Sequence, residues 1–370
     1  MNFDYSEEQL LLQDSATRFV REQYGFAARQ QVVASGKGYS PEHWSFFAEL
    51  GWLALPLPES AGGLGGGAVE SAILMEAFGR GLLPSPWLAS VLLGGGAIAA
   101  LGTPAQQARW LPGLMAGELQ LALAHYETAS RYDVAAIASR AERSGTDWVL
   151  RGDKCVVLNA PDADLLLISA REPDGRTGLF AVAAGSAGLR MEGYRTIDGS
   201  PAAELAFADL RLGAEARLGD GDALPALCRV LDRAALLVSA EAIGAMDALL
   251  ERTVAYAKTR RQFGVPIGSF QALQHRMADM FIELEQSRSI LLMALLAADG
   301  GEEDPARAIS AAKHRIGRAA RRIGQEAIQL HGGIGVTDAL DVGHYVKRLT
   351  AIEALFGNQD WHLRRFGAIP

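Results

Sequence analysis

Arg260-Arg261-Gln262-Phe263-Gly264-Val265-Pro266-Ile267-Gly268-Ser269-Phe270-Gln271 separates two long helical patterns. Before it, the apolar period runs over about Leu231–Thr259, and after it over Gln271–Ala298. A third helical segment, Pro305–Leu330, leads into Gln329-Leu330-His331-Gly332-Gly333-Ile334-Gly335. Each is long enough, at about 1.5 Å per residue, to span a domain as one helix of a bundle. In the third, Ile316, Ala319, Ile323, Ala327 and Leu330 line one face and Arg315, Arg318 and Arg322 share another. Such a stripe faces a core, and the basic side is solvated or salt-bridged.

Upstream of the bundle, from near Leu121 to about Leu212, the pattern changes. Short segments such as Trp148–Leu150, Leu165–Ser169, Leu179–Val182 and Leu205–Leu210 alternate with turn-rich stretches, predicting a β domain. No helices intervene at the period of a doubly wound sheet, and spacing alone leaves sandwich and barrel open. The first third is helical. Ser6 ahead of Glu7-Glu8-Gln9 is a capping box, and Ser40-Pro41 combines an N-cap with proline at the first helical position; Gly51 suits the end of that helix. Gly63, Gly65 and Ala68 have the G-x-G-x-x-A spacing of a dinucleotide turn. No strand precedes them, so a helix-to-helix connection is predicted. Val91–Leu101, with three glycines, falls short of the roughly 20 residues that span a bilayer and predicts a buried helix.

Of the 370 residues, 49% are hydrophobic and 21% charged, enough to bury a large core in two or three domains. The net charge of −8 is spread among mixed acids and bases, which argues against nucleic acid as a partner. The start Met1-Asn2-Phe3-Asp4-Tyr5-Ser6-Glu7-Glu8 lacks the basic end and apolar run of a signal peptide, so a cytoplasmic protein is expected. Cys155 and Cys228 have no metal or disulfide spacing, and His125, His275 and His344 no ligand spacing; no metal is expected.

Arg260, Gln262 and Phe263 gather a cation, an amide and an aromatic face at a helix end, a plausible cradle for a dinucleotide pyrophosphate and adenine. The glycines after His331 let a ligand approach the backbone. Taken singly, each motif reads equally well as a glycine-capped turn. The combination of R-x-Q-F-G, G-x-F-Q and, about 60 residues on, Q-x-H-G-G-x-G resembles the acyl-CoA dehydrogenase family over nearly the whole chain.

The resemblance implies an α+β protein with the acyl-CoA dehydrogenase fold: an all-α N-terminal domain (1–118), a central β-barrel (119–217) and a C-terminal four-helix bundle (218–370). It also implies FAD, an acyl-CoA substrate and electron-transfer flavoprotein as redox partner. In that family both motifs reach across a dimer interface to a neighbour's FAD, which makes Arg260, Gln262, Phe263, Phe270, Gln271, Gln329, His331, Gly332 and Gly333 the cofactor candidates.

Family chemistry takes the α-proton of the thioester with a glutamate while the β-hydrogen leaves as hydride. The first family position for that glutamate falls on Gly357 in Leu355-Phe356-Gly357-Asn358, and the alternative, counted back from Gly244, on Ala234. Neither takes a proton. Glu241, seven residues beyond Ala234 on the same helix, is displaced by roughly 10 Å along the axis and is a weak substitute. The segment that bonds the flavin ring, T-E-P-x-A-G-S-D in the family, corresponds to Tyr126-Glu127-Thr128-Ala129-Ser130-Arg131-Tyr132-Asp133, and the later W-x-T to Val156-Val157-Leu158.

These departures point to a subunit whose paralogous large partner supplies the glutamate and the ring contacts, as in a heterotetramer. The likeness is greatest to the small subunit of pimeloyl-CoA dehydrogenase-type heteromeric enzymes, through Ser130-Arg131-Tyr132-Asp133, Glu241-Ala242-Ile243-Gly244-Ala245-Met246-Asp247 and Leu355-Phe356-Gly357. Two alternatives stay open: a self-sufficient homo-oligomeric dehydrogenase using Glu241 or Glu127, and a non-catalytic scaffold on the same fold.

Overall fold

The computed structural model describes residues 4–300 and 305–369. Residues 1–3, which carry the start of the leaderless reading, lie outside them. The order is α1 (Glu7–Gln23), α2 (Phe26–Ala34), α3 (Pro41–Glu49), α4 (Ala68–Gly81), a π-helical stretch Leu88–Gly95 running into α5 (Gly96–Leu101), and α6 (Pro104–Met115). Strands β1 (Leu121–Ala124), β2 (Arg140–Ser144), β3 (Asp147–Leu158), β4 (Leu165–Arg171), β5 (Thr177–Ala183), β6 (Leu189–Arg195) and β7 (Pro201–Leu212) follow. Then come α7 (Leu224–Thr259), the hairpin β8 (Arg261–Gln262) and β9 (Val265–Pro266), α8 (Gln271–Asp299), α9 (Ala306–His331), α10 (Val342–Ala354) and α11 (Gln359–Ala368). Among the described residues no helix is long and apolar enough to cross a membrane.

Two compact units result, and they do not follow chain order. One comprises Val32–Gly66 and Pro84–Ala234. Its sheet runs β1-β4-β2-β3-β7-β6, with β5 on the other side of β4. The sheet curls about a single core, as the expected barrel requires: Phe180 on β5 packs edge-on against Trp148 on β3, ring centres 5.2 Å apart, amid Leu150, Ile168, Leu205 and Phe207. Register shifts at Leu150/Gly152 and Lys154/Val157 break the β3·β7 ladder, and at the second Val156 takes φ 49°. These are bulges, which bend a strand and re-aim its side chains. The π-helical stretch is buried throughout, and the Leu121 N–H donates to Ser90 Oγ at 2.8 Å. Gly94 permits that approach, since a Cβ there would lie 2.4 Å from Leu121 Cβ.

The other unit comprises Met1–Gln31, Gly67–Leu83 and Ala235–Pro370. Ion pairs Arg276–Glu326, Asp279–Arg322 and Glu283–Arg315 descend in opposite directions along α8 and α9, which fixes these helices as antiparallel neighbours. The stripe Ile316, Ala319, Ile323, Ala327 and Leu330 is buried, as expected. Helices α4 and α7 cross backbone to backbone: a Cβ on Gly79 would lie 1.9 Å from the Glu241 carbonyl oxygen, and one on Gly244 1.8 Å from that of Glu76. Asp299, at the end of α8, caps α4 by accepting the N–H groups of Ala68 at 2.7 Å and Val69 at 3.0 Å. That satisfies two of the donors a helix start leaves open.

Candidate functional site

Helix α7 ends where the Arg260 N–H donates to the Tyr256 carbonyl, and the Ile267 N–H then donates to the Arg260 carbonyl, both at 2.8 Å. These bonds close the base of the β8–β9 hairpin. Its tip holds Phe263 at φ 54° and Gly264 at φ 85°, successive left-handed residues that match a tight hairpin turn to the twist of its strands. Phe263 is 91% exposed, its ring edge-on to Phe270 at 6.2 Å. Arg260, Gln262 and Gln271 are exposed, and among the described residues Arg260 has no carboxylate partner.

The second motif begins as α9 stops at His331. Gly332 takes φ +67°, which an L side chain rarely adopts, and a tight turn follows over Gly332–Val336. Gln329, Gly332 and Gly333 are exposed, and a Cβ on either glycine would meet nothing within 4 Å. His331 is placed differently: its side chain is buried, Nδ1 donates to the Ala327 carbonyl at 2.8 Å, and its ring stacks on Tyr256 at 4.4 Å. The two helix ends that carry the motifs therefore meet.

Around Gly357, where the family resemblance places a base, the geometry is closed. Gly357 has φ +109°, and a Cβ there would lie 2.6 Å from the Trp361 ring and 2.7 Å from His362 Nε2. The Lys313 ammonium, wholly buried, donates to the carbonyls of Ile352 (2.9 Å), Glu353 (3.2 Å) and Gly357 (3.0 Å), capping the end of α10. His362 donates through Nε2 to the Phe356 carbonyl at 3.0 Å, which leaves Nδ1 to accept from Ser310 Oγ at 3.3 Å. Burial, with help from Lys313, pushes the His362 imidazole down to about 3. Sequence reading passed over Lys313, although a lysine between Ile309 and Ile316 sits on the apolar stripe of α9, where a buried cation needs several acceptors.

Ala234 is fully buried on α7. Glu241 is buried too, and Arg348 donates Nε to its Oε1 at 2.5 Å and a second guanidinium nitrogen to its Oε2 at 2.6 Å. Both carboxylate oxygens are engaged. Glu127 accepts from Lys154 Nζ at 2.6 Å and from the N–H groups of Ala138 at 2.7 Å and Ser139 at 3.0 Å. Burial alone would raise its carboxyl; Lys154 and the added donors outweigh that and hold it below the ordinary range. In the other segment, Val156 is 43% exposed and its N–H faces Glu204 Oε1 at 3.4 Å. Val156 and Leu158 offer apolar side chains alone.

Models of the acyl-CoA dehydrogenase N-terminal, middle and C-terminal domains match residues 6–118, 122–210 and 224–368. The chain belongs to the acyl-CoA dehydrogenase family. It is 32% identical over 363 residues to acyl-CoA dehydrogenase IpdE2 of Mycobacterium tuberculosis, covering 97% of this chain and 96% of that protein. Among solved structures it is similar to the ChsE4–ChsE5 complex from Mycobacterium tuberculosis, with TM-score 0.90, 28% identity, and coverage of 100% and 98% of the two chains. It is also similar to PigA with FAD and proline, with TM-score 0.91, 28% identity, and coverage of 100% and 98%. Acyl-CoA dehydrogenases use FAD, and the two motifs suit its nucleotide half: a cation, exposed amides, open glycine backbone and an exposed aromatic ring. Val156 and Leu158 have no side-chain hydrogen-bond donor.

Proposed function

We propose that this chain is the base-lacking subunit of a heteromeric acyl-CoA dehydrogenase, and that a paralogous partner supplies the glutamate for α,β-desaturation. The Gly357 turn carries the reading. The position of the usual base is filled by a left-handed glycine, roofed by Trp361 and His362 and tied to Lys313, and the two substitute candidates are committed elsewhere. Glu241 is locked to Arg348 and Glu127 to Lys154, which counts against a self-sufficient enzyme.

Bound FAD would supply the hydride acceptor for the β-hydrogen of the acyl thioester. Arg260, Gln262, Gln271, Gln329 and the backbone at Gly332 and Gly333 would hold its pyrophosphate, and Phe263 and Phe270 its adenine end, with a guanidinium and amides matched to phosphate oxygens. This chain moves no proton. Its contribution is to complete the cofactor cradle and to carry a surface for the subunit that performs the chemistry.

Similarity to a two-component complex, ChsE4–ChsE5, supports a paralogous partner. The segments that resemble small subunits of the pimeloyl-CoA dehydrogenase type favour a dicarboxyl or a bulky alicyclic or steroid-derived acyl-CoA as substrate. The test is purification of this chain alone and after co-expression with an acyl-CoA dehydrogenase-family chain that carries the glutamate. Little flavin and no turnover alone, with full FAD and turnover in the complex, is the expected result. An active, FAD-replete homo-oligomer overturns the proposal.

A further inference from the structure

Tyr256 touches both motifs by different means. Its carbonyl accepts the Arg260 N–H at the root of the hairpin, while its ring lies on His331 at 4.4 Å with planes 28° apart. Its hydroxyl points at the His331 carbonyl, the last before Gly332, at 3.4 Å. That bond is long, so the stack carries the larger part of the contact. On the other side, Gly335 folds back over His331: a Cβ at Gly335 would lie 3.0 Å from His331 Cβ. The bond from Nδ1 to the Ala327 carbonyl fixes the imidazole plane, so the ring is a rigid wedge between α7 and the Gly332–Val336 turn.

We infer that Tyr256 and His331 form a shared pin that sets the spacing of the two motifs, making Tyr256 a positioning residue for the FAD nucleotide and giving His331 an indirect role. The inference rests on the reading that the motifs serve FAD. A ligand held at several points loses affinity when the supports shift by a fraction of an ångström, because binding then has to order what the fold had preset. An aromatic pair of this kind is worth about two- to tenfold in such an equilibrium.

The experiment uses the complex purified through a tag on this chain, freed of FAD and titrated with FAD by flavin fluorescence, alongside the KM for acyl-CoA. Tyr256→Leu and His331→Leu are expected to weaken FAD about two- to tenfold with KM unmoved, and the double variant to lose less than the product of the two. Tyr256→Phe and His331→Phe, which keep the stack, are expected to bind FAD as wild type does. Should the leucine variants not fold, His331→Gln keeps a donor for the Ala327 carbonyl without a ring and takes their place. If Arg260→Ala weakens FAD and Tyr256→Leu or its substitute does not, the pin is wrong and the functional reading stands. If Arg260→Ala and Gln329→Ala both leave affinity unchanged, the functional reading itself fails.

Discussion

Arg348 on α10 holds both carboxylate oxygens of Glu241 on α7, at 2.5 and 2.6 Å, in a largely buried bidentate pair. Removing one partner strands the other charge away from water. Glu241→Ala is therefore expected to cost about 3–5 kcal/mol, read as a shift of the urea midpoint. Glu241→Gln in the assembled enzyme is expected to keep turnover within about twofold of wild type, because a residue so engaged is no base. A loss of several orders of magnitude with the fold intact would restore Glu241 as the proton acceptor.

Putting a carboxylate back at the usual position is expected to fail. Gly357→Glu meets Trp361 and His362 at 2.6–2.7 Å and demands φ +109° of an L residue. We expect a loss of about 3 kcal/mol or more and no gain of flavin reduction when the chain is given FAD and acyl-CoA without its partner. Bleaching of the flavin band by acyl-CoA in that variant contradicts the assignment.

The crossing of α4 and α7 leaves no room for a methyl group. Gly244→Ala or Gly79→Ala is expected to cost upwards of about 4 kcal/mol, since the Cβ overlaps a backbone oxygen that cannot rotate away. Gly113→Ala is the control: its Cβ meets Leu119 at an ordinary 3.5 Å, and the substitution replaces a glycine inside α6. It is expected to be neutral or to stabilise by a few tenths of a kcal/mol. Equal melting of all three variants would mean that the crossing is looser than described.

His362 gives a dependence on acidity. Its folded-state pKa of about 3 lies below the ordinary value of 6.5, so between these limits the unfolded chain binds a proton that the folded chain refuses. Stability contributed this way is whole above pH 6.5 and is lost as pH falls toward 3. From pH 6.5 to 5 the loss is about 1.6 kcal/mol, the slope rising toward roughly 1.4 kcal/mol per unit as the unfolded imidazole becomes fully protonated. His362→Gln can keep the bonds to Phe356 and Ser310 without titrating. Its denaturant midpoint is expected to fall less steeply over that interval, and parallel slopes would remove His362 from the acid response.

Much of this architecture was written in the local pattern of the chain. The capping box at Ser6 forms, and so does the N-cap at Ser40, because each needs only neighbours three residues away. Helix α7 ends at Thr259, as expected, and α9 at His331, one residue beyond the expected Leu330. Other elements were hidden for physical reasons. Helix α7 starts at Leu224 rather than Leu231: Asp222 accepts the Leu224 N–H, and Pro225, which reads as a break, is tolerated in the first turn. Strand β6 alternates only over Leu189–Glu192 and is exposed beyond it, too short a pattern to read as a strand. The pairs Glu241–Arg348 and Lys313–Gly357 join residues far apart in sequence, so the chain names the groups but not their partners. His331 looked like a cofactor contact from its motif; its burial against Tyr256 depends on where α7 ends.

The backbone at Gly357 is held in three independent ways. Lys313 binds its carbonyl, Trp361 and His362 occupy the space a Cβ would need, and φ +109° disfavours any L side chain. Electrostatics, packing and backbone geometry therefore oppose a side chain there together, and relieving any one of them leaves the other two in force.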